Sequence, residues 1–443
     1  MRLFRGGEAA ASSTEPIATA FTTPANLART VVDAIRAGRH EEIRATFTAR
    51  LQKAASAKLM RGVWDSRAAH VGGVRAIGEP LVEQTGAVTT VRVPVIGADG
   101  EFTAVLTIDQ EAGLVSGLRL DAGGPVAPWT PPAYADPSRF EEHEILLGEG
   151  PLAVPGAVTV PSAAGPHPAV VLLSGGGPFD RDETVGGNKP LKDIAWGLAG
   201  RGVVVLRFDK ITRVRPDIMT EDVCFTATAE YVPHAAGAVR LLREHPSVDP
   251  DHVFVLGHSM GGTMAPRVAA TEPTVAGLVV MAGATLPMHR AGIRVAEYLA
   301  ALAPDRGESA KSLIKELTQQ TELIDGPDLT PATPIEALPF GFPASYWLDH
   351  RAYDPVATAA ALDRPMFFLQ GGRDYQVTVA DDLSAWRTGL ADRGHVVIRV
   401  YDADDHMFFP GSGPSTPASY DPPQHVDPEA VEDIARWLLA GSR

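Results

Sequence analysis

One cysteine, Cys224, is all the thiol chemistry in these 443 residues, so no internal disulfide can form. No Cys/His cluster has the spacing of a zinc site either. Nowhere does the chain approach the run of about 18 apolar residues that suggests a membrane span, and no membrane partner is expected. Basic clusters are missing as well. Acids outnumber bases 54 to 39, for a net charge of −15. A nucleic-acid binder needs a basic face against phosphate, so that class is excluded. Two early arginines, Arg2 and Arg5, precede no apolar h-region, so no secretory leader is read and a cytoplasmic location is expected. What is abundant is apolar residue, 45% of the chain, enough for large cores and against disorder. The length suggests two domains.

The chain changes character along its length. Residues 1–23 are small and polar and read as a flexible arm. From Pro24 to about Gly72 apolar residues recur at helical spacing. The period then drops to two. "GGVRAIGEPLVEQ", "AVTTVRVPVIG", "EFTAVLTID" and "GLVSGLRLDAG" read as four antiparallel strands. Residues 24–122 therefore form a small α+β domain. Residues 123–142 are Pro-rich and aperiodic and read as a linker.

From 143 to 443 a strand pair leads into alternation. Continuous apolar strands at 169–174, 203–208, 253–257, 276–283, 366–371 and 396–401 are interleaved with helices. That pattern means a mostly parallel, doubly wound sheet covered on both faces. Only residues 285–352 break the rhythm, with helical and Pro-rich text that reads as a cap inserted over the sheet's carboxyl edge.

The strand at 253–257 ends in Gly257-His258-Ser259-Met260-Gly261, a G-x-S-x-G elbow, with Gly262 behind it. Such an elbow holds a serine on a cramped strand-to-helix turn and aims the next amide, that of Met260, at a developing oxyanion. A serine hydroxyl needs a base, and the base an orienting acid, both later in the chain and each just after a strand. "MFFLQGGRDYQV" delivers Asp374 and "VVIRVYDADDHMF" delivers His406. Asp402, Asp404 and Asp405 are rivals as the acid, although loop neighbours seldom reach the far ring nitrogen of the histidine. His258 reads as a packing residue, and His350, His395 and His425 as surface or cap residues. The second oxyanion amide belongs in the loop after 169–174, where Gly175, Gly176 and Gly177 stand; Gly176 is the first choice. This loop lacks the phosphate-binding glycine spacings. The run Asp180-Arg181-Asp182-Glu183 and the pair Arg207/Asp209 could contact substrate, but such residues more often hold loops through ion pairs. Tyr346, Trp347 and Tyr375 are candidate pocket residues.

Several strings together resemble the EstD-type bacterial carboxylesterases, α/β-hydrolases near the prolyl-oligopeptidase and dienelactone-hydrolase branch. They are "LLSGGGPFDRDETVGGNKPLKDIAWGLAGRGVVVLRFDKIT", "LGHSMGGTMAPRVA", "LPFGFPASYWLDHRAYDP", "FFLQGGRDYQVT" and "DADDHMFF". The resemblance runs from about 143 to 440. It implies an α/β-hydrolase fold with a helical cap, the triad Ser259, Asp374 and His406, and hydrolysis of short acyl esters without metal or organic cofactor. The N-terminal part resembles a cone of the nuclear-transport-factor type, and is expected to cap the pocket or mediate dimerisation. Two departures lie near the pocket. The family's Gly-Ser-Gly-Pro is here Gly175-Gly176-Gly177-Pro178, and its Asp-Lys-Arg is here Asp209-Lys210-Ile211. Acyl transfer, lactone closure or elimination at the same site is the alternative, with a peptidase or a non-catalytic binding scaffold further off.

Overall fold

The computed structural model describes residues 23–441 except 56, 86–87, 123–127 and 303–306. The expected arm, residues 1–23, thus lies almost wholly outside the described residues. The chain divides into two compact units, Met1–Val126 and Ala127–Arg443. Among the described residues no helix is long and apolar enough to cross a membrane.

In the first unit, α1 (Pro24–Arg36), α2 (His40–Ile43), α3 (Ala49–Ala54) and α4 (Ala57–His70) precede β1 (Val74–Ile77), β2 (Leu81–Thr85), β3 (Val88–Gly97), β4 (Glu101–Asp109) and β5 (Val115–Ala122). Thr23 caps α1 by accepting from the Asn26 amide, and Pro24 opens the helix where a missing N–H costs nothing. Leu27, Val31 and Ile35 from α1 and Trp64 from α4 meet Val91, Val93, Phe102 and Leu106 on one face of the sheet. One expectation is corrected here. "GGVRAIGEPLVEQ" is two strands, not one, and both pair with β3. The break falls at Gly78-Glu79-Pro80, where proline has no N–H for the ladder.

The second unit is built on β6 (Phe140–Leu147), β7 (Val154–Pro161), β8 (His167–Leu173), β9 (Val204–Phe208), β10 (Val248–His258), β11 (Leu278–Met281), β12 (Met366–Gly371) and β13 (Val396–Tyr401). Among the described residues these form one sheet in the order β13-β12-β11-β10-β8-β9-β7-β6. The stretch from β13 to β9 is parallel, and β7 and β6 are antiparallel additions. The helices between them are α5 (Pro190–Ala199), the short α6 (Ile211–Val214) and α7 (Ile218–Glu221), α8 (Ala227–Glu244) and α9 (Met260–Thr271). Residues 285–352 hold α10 (Met288–Leu302), α11 (Gly307–Asp325) and α12 (Ala344–Arg351); α13 (Pro355–Ala361), α14 (Ser384–Gly389) and α15 (Pro428–Ala440) complete the unit. One sheet face packs on α8 and α9, the other on α5 and α15. Strands β8, β9, β11 and β12 and the second half of β10 are buried along their length because both faces are covered, which is why their sequences read as nearly continuous apolar runs.

Residues 128–142 do not behave as a free linker. Trp129 donates to Asp193 at 2.8 Å, Tyr134 donates to the Val426 carbonyl at 3.0 Å, and β6 already begins at Phe140. The aromatic content of this Pro-rich stretch supplies the contacts that proline cannot. At the sheet's end, β6 carries Glu141, Glu142 and Glu144 on one edge strand.

The chain moves outward from β8 to β9, then returns to the other side of β8 to lay down β10. The order reverses between β8 and β10, and the carboxyl ends of strands at such a point open a crevice. Gly257 of β10 stands level with Leu173 of β8, so the loops that follow, Ser174–Gly177 and Ser259–Gly262, leave the sheet side by side.

Candidate active site

Ser259 has φ +52° and ψ −119°, a backbone that a non-glycine residue adopts at a cost. The strain is held by backbone packed on backbone. A Cβ on Gly257 would stand 2.1 Å from the Gly261 carbonyl oxygen, and one on Gly261 would stand 2.5 Å from that of Leu173. Only glycine lets β10, α9 and the end of β8 approach this closely. The serine side chain is thereby lifted off the sheet at the N-terminus of α9.

His406 and Asp374 reach it from the ends of β13 and β12. His406 Nε2 lies 3.0 Å from Ser259 Oγ, and His406 Nδ1 lies 2.7 Å from Asp374 Oδ2. A carboxylate only accepts, so Nδ1 carries the proton and Nε2 presents its lone pair to the hydroxyl. The aspartate is buried but well supplied with donors. Its Oδ1 accepts from the amides of Gln376 and Val377 at 2.8 and 2.9 Å, and its Oδ2 from Gln370 Nε2 at 3.1 Å. The rival acids do other work. Asp405 accepts from the amides of Met407 and Phe409 and so shapes the His406 loop. Asp402 is exposed. Asp404 is buried, and that burial, with the Asp427 and Asp405 charges and a hydrogen bond to Asp427, pushes it up to about 8.

His258 differs from its expected packing role. Its Nε2 lies 2.8 Å from the His406 carbonyl oxygen and its Nδ1 lies 3.0 Å from Glu183 Oε1. Both partners only accept, so both ring nitrogens carry protons and His258 is an imidazolium paired with Glu183. Burial alone would push its pKa down, but the Glu183 charge and hydrogen bonds outweigh that and raise it. His350, within the stretch read as the cap, is buried in α12. Burial, reinforced by His289, pushes it down to about 4, so it sits in the fold as neutral imidazole. His425 is half-buried on Asp193.

The glycine loop after β8 is gripped residue by residue. The Gly175 amide donates to Glu183 Oε1 at 2.6 Å. Its carbonyl accepts from Lys210 Nζ at 2.9 Å and from the Tyr231 hydroxyl at 2.8 Å. A Cβ on Gly175 would sit 3.1 Å from that of Ser259, whereas one on Gly176 would meet only Met260, at 3.7 Å. Gly175 is therefore buried against the serine with its amide consumed. Among the described residues the amides of Gly176, Gly177 and Met260 have no acceptor. Gly177, at φ +121°, turns the chain toward Phe179.

The three aromatics proposed for the pocket are all buried. Tyr346 is buried and donates to Glu230, and Trp347 is enclosed by Ile324, Leu329 and Leu338. Tyr375 is buried and stacks on Tyr298 of α10 at 5.0 Å between ring centres. Aromatic identity alone does not tell which way a helix turns its face. A groove of 810 Å³ beside Thr285–Pro287, Tyr353–Val356 and Ser384 is lined by none of Ser259, Asp374 and His406. The charged loop residues take the structural role: Arg207 bonds Asp182 and Glu142, and Asp209 accepts from the Arg181 amide. Sequence reasoning missed Lys210, Glu230 and Tyr231 as supports of the site; Glu183 was named only within Asp180-Arg181-Asp182-Glu183 as a loop-holding acid, and Lys210 only within Asp209-Lys210-Ile211.

Residues 190–409 match the family described as serine aminopeptidase, S33. Esterase EstD of Thermotoga maritima is 36% identical over 340 residues, 77% of this chain and 77% of that protein. The 2,6-dihydropseudooxynicotine hydrolase of Paenarthrobacter nicotinovorans is 29% identical over 143 residues, 32% of this chain and 35% of its own. Among solved structures, the Pyrobaculum calidifontis esterase aligns over 68% of this chain and 86% of its own, with 18% identity and a TM-score of 0.43.

Proposed function

The chain belongs to the EstD-type esterase family of α/β-hydrolases, and from that membership we propose that it cleaves carboxylic esters through an acyl-enzyme on Ser259. It is a carboxylesterase-type serine hydrolase; the residue roles are our reading. His406 takes the Ser259 proton through Nε2 as Oγ attacks the ester carbonyl. Asp374 holds the proton-bearing Nδ1 and stabilises the imidazolium that forms. The amides of Met260 and Gly176 receive the tetrahedral oxyanion, each such donor being worth about 10²–10³ in turnover. Collapse expels the alcohol, which takes the proton from His406. A water molecule, deprotonated by the same nitrogen, then attacks the acyl-serine, and the acid leaves.

The observation that carries this reading is the unbroken chain from Ser259 Oγ through His406 to Asp374 at 3.0 and 2.7 Å. The test is hydrolysis of p-nitrophenyl esters from acetate to decanoate, with Ser259→Ala alongside. Activity on short chains, reduced about 10⁴-fold or more in the variant, is the expected result. A folded parent idle on every ester would overturn it and point to acyl transfer or elimination at the same serine.

For the N-terminal unit we read an accessory module of the transport-factor type that pairs two copies of the chain. Sedimentation of the intact protein as a monomer at micromolar concentration would remove that role.

A further inference from the structure

We infer that Lys210 is a positioning residue of the oxyanion hole, acting through the peptide that joins Gly175 to Gly176. This rests on the reading of Ser259 as nucleophile and of the Gly176 amide as oxyanion donor.

Lys210 follows β9 directly and is buried. Its ammonium has three N–H bonds and three acceptors. They are the Gly175 carbonyl at 2.9 Å, the Tyr231 hydroxyl at 2.7 Å and Glu230 Oε1 at 3.0 Å. No donor is left over. Tyr231 passes its own proton to the same Gly175 carbonyl, at 2.8 Å. Glu230 is fixed in turn by Thr212 and by Tyr346, both at 2.8 Å. Glu183 takes the Gly175 amide from the other side. Both peptide planes that meet at the Gly175 Cα are thus anchored, and so are its φ and ψ.

The consequence follows from the shape of a trans peptide. Its carbonyl and its N–H point in opposite directions. Drawing the Gly175 oxygen onto Lys210 and Tyr231 turns the Gly176 N–H away from them. Gly175 lies against Ser259 and Gly176 beside Met260, so this N–H belongs to the stretch of backbone that passes the serine. A cation on the carbonyl end also polarises the peptide, which makes the N–H at the other end a stronger donor. Glycine can take many conformations, and a loop of three in a row would otherwise leave this amide unaimed.

Stability gives little reason to bury the charge. An ammonium–carboxylate pair taken out of water is often no better than apolar side chains of the same volume. Its distinctive partner is a backbone carbonyl one peptide away from the reacting centre.

The test compares Lys210→Met/Glu230→Gln, which removes both charges together, with Tyr231→Phe, which removes one of the two bonds to the Gly175 carbonyl. The double variant is expected to lower kcat for p-nitrophenyl acetate about 10- to 100-fold and Tyr231→Phe about 3- to 10-fold, less than the roughly 10²–10³ of a donor lost outright, because the Gly176 amide is misaimed rather than removed. KM should stay near the parent value. An aryl trifluoromethyl ketone, whose serine hemiketal places an oxyanion in the hole, should bind weaker by the same factor as kcat/KM falls. The matching methyl ketone, which forms no stable adduct, should be unaffected. Unchanged kcat in folded variants, or a loss confined to KM with trifluoromethyl ketone binding intact, would overturn the inference. If the double variant does not fold, Tyr231→Phe carries the test alone. Failure of the underlying reading would look different: activity of the parent would survive Ser259→Ala.

Discussion

Arg207 and Lys210 flank the dipeptide Phe208-Asp209 at the end of one strand, and both are buried cations with carboxylate partners. Their remaining contacts separate them. Among the described residues Arg207 bonds only side chains: Asp182 and Glu142 at 2.9 Å each and Thr159 at 3.2 Å. Through them it staples β9 to β6, to β7 and to the loop that also carries Lys189 on Asp182. Lys210 instead ends on the backbone carbonyl of Gly175, beside the serine. A buried cation that meets only side chains fastens elements together. One that meets the backbone of a reactive loop also decides where the neighbouring amide points.

The comparison breaks first at Arg207. Arg207→Met leaves buried Asp182 and half-buried Glu142 without their shared cation, and should destabilise the protein by about 3–5 kcal/mol. Urea unfolding measures this, while kcat per folded molecule should hold. A large loss of turnover at full stability would erase the distinction from Lys210.

Glu183→Gln comes next. It weakens the acceptor of the Gly175 amide and removes the charge that keeps His258 protonated, so the loops of Gly175 and His406 lose a common anchor. A fall in kcat of about 10-fold is expected from such misplacement. With Glu183 neutral, burial is left to dominate and the His258 pKa should fall, which imidazole resonances followed against pH would report. A His258 titration unchanged by the substitution would mean that Glu183 does not hold its proton.

The smallest effect sharpens the comparison from the opposite side, at a buried acid that among the described residues is paired with no cation. Asp404 is pushed up to about 8 in the fold, against an ordinary value of about 3.9. Between those two values the folded state holds a proton that the unfolded chain releases, so its contribution to stability declines as pH rises. Asp404→Asn should therefore melt with the parent near pH 4 and a few degrees above it at pH 8. A difference that does not depend on pH would rule this linkage out.

How much of this could be read beforehand depended on distance along the chain. The parallel sheet showed itself because strands covered on both faces need unbroken apolar runs, as in "VFVLG" and "MFFLQG". Ser259, Asp374 and His406 each follow such a strand within a few residues, and the elbow glycines mark the serine through their lack of bulk. The split between β1 and β2 was written in Gly78-Glu79-Pro80, although alternation on either side masked it. The supports of the site were not legible. Gly175 stands 35 residues from Lys210, which stands 21 from Tyr231, and only the folded sheet brings the three together. His258 was visible, but nothing in the elbow specifies a glutamate on another loop as its partner. That Tyr346 and Trp347 are both buried was not legible either, because a short helix without clear amphipathic spacing does not declare its buried face.

The last strand of the sheet has a consequence outside catalysis. β6 ends the sheet with an open edge, and open edges invite a second copy to add its own strand. Here Glu141 and Glu144 are exposed on that strand, Glu144 against Arg181, while Glu142 turns in to Arg207, so two molecules approaching strand to strand would bring like charges face to face. The half-exposed apolar residues at its far end, Ile145 and Leu146, would otherwise favour such pairing. Carboxylates guard the edge only while they are ionised. In acid the guard is neutralised, so the hazard in purifying and storing this protein lies at low pH, as self-association along β6.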